Sequence, residues 1–473
     1  MGGVSKGRKR DRVAHADLVA RPRYVPGPLV ETSQVGPAIV FLNRFFYPDE
    51  SATAQMLSDL AFDLAAKGQI VRVIASRLHS GARELLPTSE VTGKLEIFRV
   101  ASRAQFRPGR RWKLLAYLSF YPSAFVALLR YLRKGDVLVV KTDPPLVVVV
   151  AWVAARLKGA TFVTWLQDLY PEVAIALKAP LFGGRVLGTL LMFVRNFVLK
   201  QARANVVIGK RMAAVLEAEG VAARMIHIIP NWADEQAITP IPSSQSQLRK
   251  SLNAGPDTFV VSYSGNLGRA HEFKTLLGAA TRLKHRDIRF LFIGGGVGYD
   301  MLRTSVRKRG LTNFHFMPHQ PREQLADSLG AADAHWLSLR PELEGLIVPS
   351  KFYGILAAGR AVLAVSAPSG EVASEVRTHG CGYVIEPRDE HELASRIEFL
   401  ADNRAVCSNL GEVGRRLAET RFSRQSALSA WSQLFDALKI TAAGSPAGDA
   451  ARKQENDVSQ HGESVVVGAT DHV

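Results

Sequence analysis

Short apolar runs alternate with amphipathic stretches through most of the chain, and the pattern occurs twice. In the first half, the run Ala38–Leu42 predicts a buried strand. The segment YPDESATAQ follows as a turn in which Ser51 or Thr53 caps a helix over Ala54–Lys67, ended by Gly68. Further strands are expected at Ile70–Ala75, Leu95–Val100, Asp136–Lys141, Thr161–Trp165 and Ala204–Ile208, with a helix at Lys210–Ala218 and a last extended piece at His227–Pro230. In the second half, strands are expected at Thr258–Ser264, Ile288–Ile293, Asn313–Phe316, Ala334–Leu337, Ala361–Val365 and Gly382–Ile385. Helices are expected there at Phe273–Leu283, Glu371–Arg377, Glu390–Leu400, Arg404–Thr420 and Gln425–Leu438. Apolar strands alternating with amphipathic helices predict an α/β fold, a doubly wound parallel sheet in each half. The Pro- and Ser-rich stretch 237–247 lacks periodicity and reads as a linker, giving domains at 37–236 and 248–440. Residues 1–36 and 441–473 read as disordered tails.

Length agrees with two domains, since 473 residues are too many for one ordinary core. Charge adds an asymmetry that periodicity does not show. The net charge is +17, and residues 1–234 hold 33 Lys and Arg against 17 Asp and Glu, while the remainder holds 27 against 26. Such an excess calls for an anionic partner. Within the basic half, FRPGRRWKLLAYLSFYPSAFVALLRYLRKG sets Arg107, Arg110, Arg111 and Lys113 beside Trp112, Phe120 and Tyr121 at apolar helical spacing. A segment lying in a membrane interface has this composition, as does a core helix with a basic solvent edge; the confinement of the charge to this half favours an anionic membrane surface. No signal peptide and no run of about 18 uncharged apolar residues are found, so no transmembrane helix is expected. Two cysteines, Cys381 and Cys407, are too few for a disulfide framework and fit a reducing cytoplasm.

The candidate chemistry gathers in Arg340–Arg360, RPELEGLIVPSKFYGILAAGR. Two carboxylates, Glu342 and Glu344, stand in a loop ahead of a helix start, with Pro349 suited to the first helical position and Gly359 to a left-handed exit. Free backbone N–H groups at Ser350 and the Lys351 cation make a phosphate site, and carboxylates just upstream can accept hydrogen bonds from sugar hydroxyls. A nucleotide-sugar would fit this combination; a solvated acidic loop before an ordinary surface helix fits it equally. Gly265, Asn266 and Arg269 close a strand where glycine lets a ligand approach the backbone. Gly294 and Gly295 close another. A dehydrogenase would need its glycine fingerprint after a first strand and an acid after the next. No glycine follows Ala38–Leu42, so the later Gly-rich turn reads as the neighbour of a nucleotide base. Asp168, at a strand end, is either a helix-capping carboxylate or a substrate ligand. No Asp, His or Cys cluster suggests a metal.

With these phrases in order, FFYPDESATAQ, KTDPPL, WLQDLYPE, IIPNWAD, YSGNLGRAHEF, FIGGG, EGLIVPSKFYGILAAGR and GCGYVIEP, the chain from about Pro37 to Leu438 resembles the family-4 retaining glycosyltransferases of the GT-B fold. It resembles their bacterial branch, which builds exopolysaccharide, capsule or O-antigen. The resemblance implies two Rossmann-like domains facing a cleft, with the last helix packing back on the N-terminal domain. It implies a nucleoside-diphosphate sugar donor in the C-terminal domain and an acceptor, such as a polyprenyl-diphosphate-linked sugar, in the N-terminal one. No cofactor, metal or nucleic-acid partner is implied, and the location is the inner face of the cell membrane. The family's paired glutamates, E-x7-E, hold the donor sugar and ribose. Glu344 matches the first, and Gly354 stands where the second falls when the motif is anchored on Gly359. A glycine inside that helix implies a close backbone contact that compensates for its cost. Where family members often carry Arg and Lys after the first strand of this domain, this chain has Asn266 and His271, with Arg269 and Lys351 as basic substitutes. Glu344, Lys351 and Asp168 are thus the candidate catalytic residues, and Gly265, Asn266, Arg269, Gly294, Gly295, Glu342, Ser350 and Gly354 the candidate donor contacts. The alternatives are a GT-B sugar-nucleotide epimerase, which needs no acceptor, and a catalytically silent GT-B scaffold.

Overall fold

The computed structural model describes residues 36–78, 85–102, 110–178 and 185–442. The tails expected at the two ends lie outside this range apart from Gly36 and residues 441–442, as do Arg107 and the side chains of Arg110, Arg111 and Lys113.

Eight strands form the first sheet: β1 (Ile39–Leu42), β2 (Val71–Ser76), β3 (Ser89–Thr92), β4 (Leu95–Val100), β5 (Val137–Lys141), β6 (Thr161–Leu166), β7 (Ala204–Val207) and β8 (Ile226–Ile228). Their order is β3-β4-β2-β1-β5-β6-β7-β8, and every pairing is parallel except β3 with β4. Strand β3, SEVT, is too short and polar to stand out by apolar pattern, and it forms as an edge hairpin whose Glu90 pairs with Arg99 at 2.7 Å. Along β1 the side chains alternate between two cores, Ile39 and Phe41 facing one and Val40 and Leu42 the other. On the first face lie helix α1 (Ala52–Ala66) and, from the far end of the chain, the last helix. On the second face lie α2 (Arg110–Tyr131), α3 (Val147–Lys158) and, after the short α4 (Glu172–Ala176), α5 (Arg185–Gln201). Helix α6 (Lys210–Ala218) follows β7. At the strand N-termini the fully buried Arg72 binds Glu96 at 2.8 Å and Asp136 at 3.3 Å, and Asp136 also accepts the Ala38 N–H, tying β1, β2, β4 and β5 together.

Helix α2 differs from expectation. Its stretch Leu114–Tyr131 is long and apolar enough to cross a membrane by length and composition, despite Pro122 and Arg130. Yet Phe120, Ala124, Ala127 and Leu128 are buried against the sheet.

The second sheet is wholly parallel: β9 (Phe259–Asn266), β10 (Ile288–Gly295), β11 (Phe314–Met317), β12 (Ala334–Ser338), β13 (Ala361–Val365) and β14 (Gly382–Ile385), in the order β11-β10-β9-β12-β13-β14. Its helices are α7 (Gln247–Ser251), α8 (Lys274–Arg282), α9 (Val297–Lys308), α10 (Leu325–Gly330), α11 (Lys351–Ala357), α12 (Glu371–His379), α13 (Glu390–Asp402) and α14 (Arg404–Thr420), and α15 (Arg424–Ala442) ends the described chain. Sequence reading passes over α9 because only Tyr299, Leu302 and Val306 of its turns are large, apolar and buried. Helix α15 leaves this domain and packs Leu428, Trp431 and Phe435 into the first sheet's core, with Trp431 4.7 Å from Trp165. The strand order reverses between β9 and β12, the point at which open α/β sheets bind ligands.

Candidate active site

At that reversal, β9 ends in Gly265 and Asn266, and β12 runs into the loop that carries Glu342 and Glu344. Half-buried His271 staples the two ends: its Nδ1–H donates to the Ser338 carbonyl (2.7 Å), and its Nε2 lies 3.1 Å from the Tyr263 hydroxyl. Burial, with the nearby Lys351 charge, pushes its pKa down to about 4, so this imidazole is neutral at physiological pH.

Helix α11 starts two residues later than the sequence suggests. Pro349 lies before the cap, Ser350 occupies the cap without a side-chain hydrogen bond, and Lys351 is the first helical residue. The exit is as expected: Gly359 has φ +63°, its N–H bonds to Leu356 O (2.9 Å) and the Arg360 N–H to Ile355 O (3.3 Å), the paired bonds of a Schellman ending. From this start the Lys351 side chain runs over Gly265. The backbone of Gly265, with φ +131°, favours glycine, and a Cβ there would lie 2.6 Å from Lys351 Cε and displace the lysine. Lys351 Nζ is 5.6 Å from the Tyr263 ring centre. No carboxylate pairs with it among the described residues, and burial lowers its pKa to about 8.

Lys351 faces a cavity of about 210 Å³ between the lobes. Ser350, Gly354, Tyr263, His335 and Trp336 line it from the C-terminal side; Gln55 and Asp59 of α1 and Trp232 line it from the other, where the Trp232 indole N–H donates to Asp59 (3.2 Å). Gly354 meets nothing closer than Leu329 Cδ1, 3.7 Å from where its Cβ would be, so the tight contact expected to explain this glycine is not there.

A second, wider groove of about 940 Å³ lies within the C-terminal lobe, lined among others by Arg269, His271, Lys274, Arg340, Glu342 and Arg388. Thus the expected donor contacts divide: Ser350, Lys351 and Gly354 face one space, Arg269 and Glu342 the other. Glu342 is exposed and paired with Arg340 at 2.8 Å, which holds its carboxyl below the usual range. Gly294 packs where any Cβ would lie 2.2 Å from Gly265 O, so it lets β9 and β10 end side by side. Gly295 lies near His319, and Asn266 Oδ1 fills the space beside Gly296.

Glu344 and Asp168 line neither cavity. Glu344 is pressed against Gly370, where a Cβ would lie 2.4 Å from its Oε1, and it accepts the backbone N–H groups of Glu371 and Ala367. Burial, then the Glu371 charge, raises it to about 7. Glu371 in turn accepts the N–H groups of Lys210 (3.0 Å) and Arg211 (2.8 Å), so a carboxylate of one lobe caps α6 of the other. Asp168 forms an antiparallel bridge with Ile347, while the Leu169 N–H donates to Leu346 O at 2.9 Å. The carboxyl of Asp168 is raised to about 6 by burial and then by Asp143, against the effect of Lys141. Lys141 is itself fully buried, its Nζ 3.4 Å above the Trp165 ring and without a hydrogen-bond partner among the described residues. Among the described residues no group of three His, Cys, Asp or Glu is placed to hold a metal.

Sequence reading missed Tyr263, His335, Trp336 and Trp232 as cavity walls, because an aromatic or histidine inside an apolar strand carries no mark that separates a cavity lining from core.

Both lobes match known family models. Residues 51–232 match the glycosyl transferase 4-like domain, and residues 244–417 match glycosyl transferases group 1. The chain is 26% identical over 299 residues, 63% of its length and 73% of the relative's, to a protein of Pseudomonas aeruginosa named as the glycosyltransferase WbjE. It is 23% identical over 394 residues, 81% of its length and 96% of the relative's, to a protein of Escherichia coli K12 named for colanic acid biosynthesis, the glycosyl transferase WcaI. Among solved structures, the Anabaena protein Alr3699/HepE in complex with UDP-glucose superposes with a TM-score of 0.64 over 85% of this chain and 99% of its own, at 15% identity.

Proposed function

Because the chain belongs to the glycosyltransferases, joining a 4-like domain to a group 1 domain on the GT-B fold, we propose that it moves a sugar from a nucleoside-diphosphate sugar, with retention at the anomeric carbon, to a lipid-linked saccharide in the building of a bacterial surface polysaccharide or exopolysaccharide. One observation carries the donor assignment: Lys351 is a half-buried ammonium whose surroundings depress its pKa, with no counter-ion among the described residues, facing the cleft between the lobes. An uncompensated cation held partly out of water is costly. A diphosphate would supply the missing charge. The exposed Arg269 and the Glu342-paired Arg340 of the wider groove have no such deficit.

In this reading the bond from the anomeric carbon to the donor phosphate oxygen breaks as the acceptor hydroxyl attacks from the same face, and its proton passes to the departing diphosphate. Lys351 and the Gly265 backbone meet the charge that grows on the phosphate oxygens, which lowers the barrier. The cation carries this role more than the helix dipole does, since α11 has only 7 residues. Glu344, already bonded to backbone amides, sets α12 against α6 rather than touching the sugar. Asp168 belongs to the acceptor side. No further cofactor takes part. A cavity of about 210 Å³ is below the roughly 300 Å³ of ordinary ligand pockets, so donor entry parts the lobes and breaks the Glu371 contacts. The names of the two relatives support the polysaccharide setting, and the UDP-glucose complex of the structural neighbour supports the donor class.

Incubation of purified protein with a panel of nucleotide sugars, with and without a polyprenyl-diphosphate sugar, tests the proposal. Glycosylated lipid formed only when both substrates are present supports it. Turnover of the donor to an epimer without acceptor, or no turnover with any donor, refutes it.

A further inference from the structure

The outer layer of the N-terminal lobe presents to solvent a surface of unusual chemistry. Nine of the fifteen large hydrophobic side chains exposed among the described residues belong to α2, α3 and α5. Phe193 is 70% exposed, Leu157 66%, Val126 64% and Leu190 55%. Helix α3 lies between the other two and packs on both, so these side chains share one face and are not scattered singly.

Charge on this layer has one sign. None of the 22, 12 and 17 residues of α2, α3 and α5 is Asp or Glu, while nine are Arg or Lys. Where α3 and α5 end, a cavity of about 350 Å³ is lined by Trp152, Arg156, Gln201, Arg203 and Arg224 among others. No ion pair to a carboxylate involves these three arginines among the described residues. The Trp152 ring meets Phe197 edge-on at 5.4 Å, which makes the arginine pocket continuous with the apolar face.

We propose that this face is the docking surface for an anionic lipid bilayer. Val126, Leu157, Leu190 and Phe193 enter the boundary between headgroups and acyl chains, and Arg156, Arg203 and Arg224 bind lipid phosphates. A second copy of the chain is a poor occupant, because a surface without carboxylates repels its own kind. The contact is peripheral, since α2 keeps Phe120, Ala124 and Leu128 in the sheet core. The inference rests on the reading of the acceptor as lipid-borne and adds where the bilayer meets the protein.

The test is sedimentation of the full chain with phosphatidylglycerol or phosphatidylcholine vesicles, with no donor or acceptor present, so that failure here is separate from failure of the transfer assay. Binding is expected to the anionic vesicles and to fall as salt rises. Leu190→Asp with Phe193→Asp is expected to raise the half-saturating lipid concentration at least tenfold, and each of Arg156→Ala, Arg203→Ala and Arg224→Ala about fivefold. Phe399→Asp, an exposed apolar position in the other lobe, is expected to change it less than twofold. Four results would overturn the proposal: equal binding to both lipids, variants that bind like wild type, protein that resists alkaline extraction from membranes, or a solution dimer broken by the Leu190/Phe193 pair with no vesicle binding.

Discussion

Replacing Lys351 by methionine keeps the aliphatic stem that crosses Gly265 and removes only the ammonium. Its effects on stability and on turnover should have opposite signs. Burial lowers the lysine from 10.5 to about 8, and each pKa unit is worth about 1.4 kcal/mol, so holding the cation costs the folded state at most about 3.5 kcal/mol. The residue is only half-buried and opens on cavity water, so roughly 1–2 kcal/mol is the expected gain on substitution. Turnover should fall about 10²–10³-fold, the usual loss when one donor aimed at developing charge is removed. Urea unfolding and steady-state kinetics with a nucleotide sugar measure the two effects on one preparation. A variant within about threefold of wild-type kcat/KM, or one destabilised by more than about 1 kcal/mol, would refute the reasoning.

Three further outcomes follow from the same geometry. The free-enzyme pKa of Lys351 is depressed to about 8, so log kcat/KM should decline as pH rises through about 8, and Lys351→Arg should abolish that limb; because the unfolded chain binds the proton more tightly, wild-type stability should rise relative to Lys351→Met above pH 8. Gly354→Ala, with no atom nearer than 3.7 Å to the new Cβ, should stabilise the protein by about 1 kcal/mol in a denaturant melt. Arg72→Met should cost about 3–5 kcal/mol, because Glu96 and Asp136 stay buried without their cation.

Local pattern carried most of the fold. The strands at Leu95–Val100, Ala361–Val365 and Gly382–Ile385 and the helices at Lys210–Ala218 and Arg404–Thr420 have the bounds expected of them, because long apolar or amphipathic runs leave the backbone little choice. The edge strand Ser89–Thr92 was not legible: it is held by pairing to β4 rather than by its own side chains. Site residues were legible as types more than as a constellation. Ser350, Lys351 and Gly265 come together because a helix start and a strand end meet at the point where sheet order reverses. That Glu344 faces Gly370 instead of a cavity depends on α12, which joins it only through tertiary packing. The cavity walls Trp232 and Asp59 lie 173 positions apart in the chain, and no local spacing signals such a pair.

The most direct measurement is a crystal structure with a nucleoside-diphosphate sugar bound. Its diphosphate should lie within hydrogen-bond reach of Lys351 Nζ beside the Gly265 backbone, with the lobes further apart and Glu371 released from Lys210 and Arg211. A diphosphate seated instead among Arg269, Lys274 and Arg388, with Lys351 untouched, would contradict the assignment.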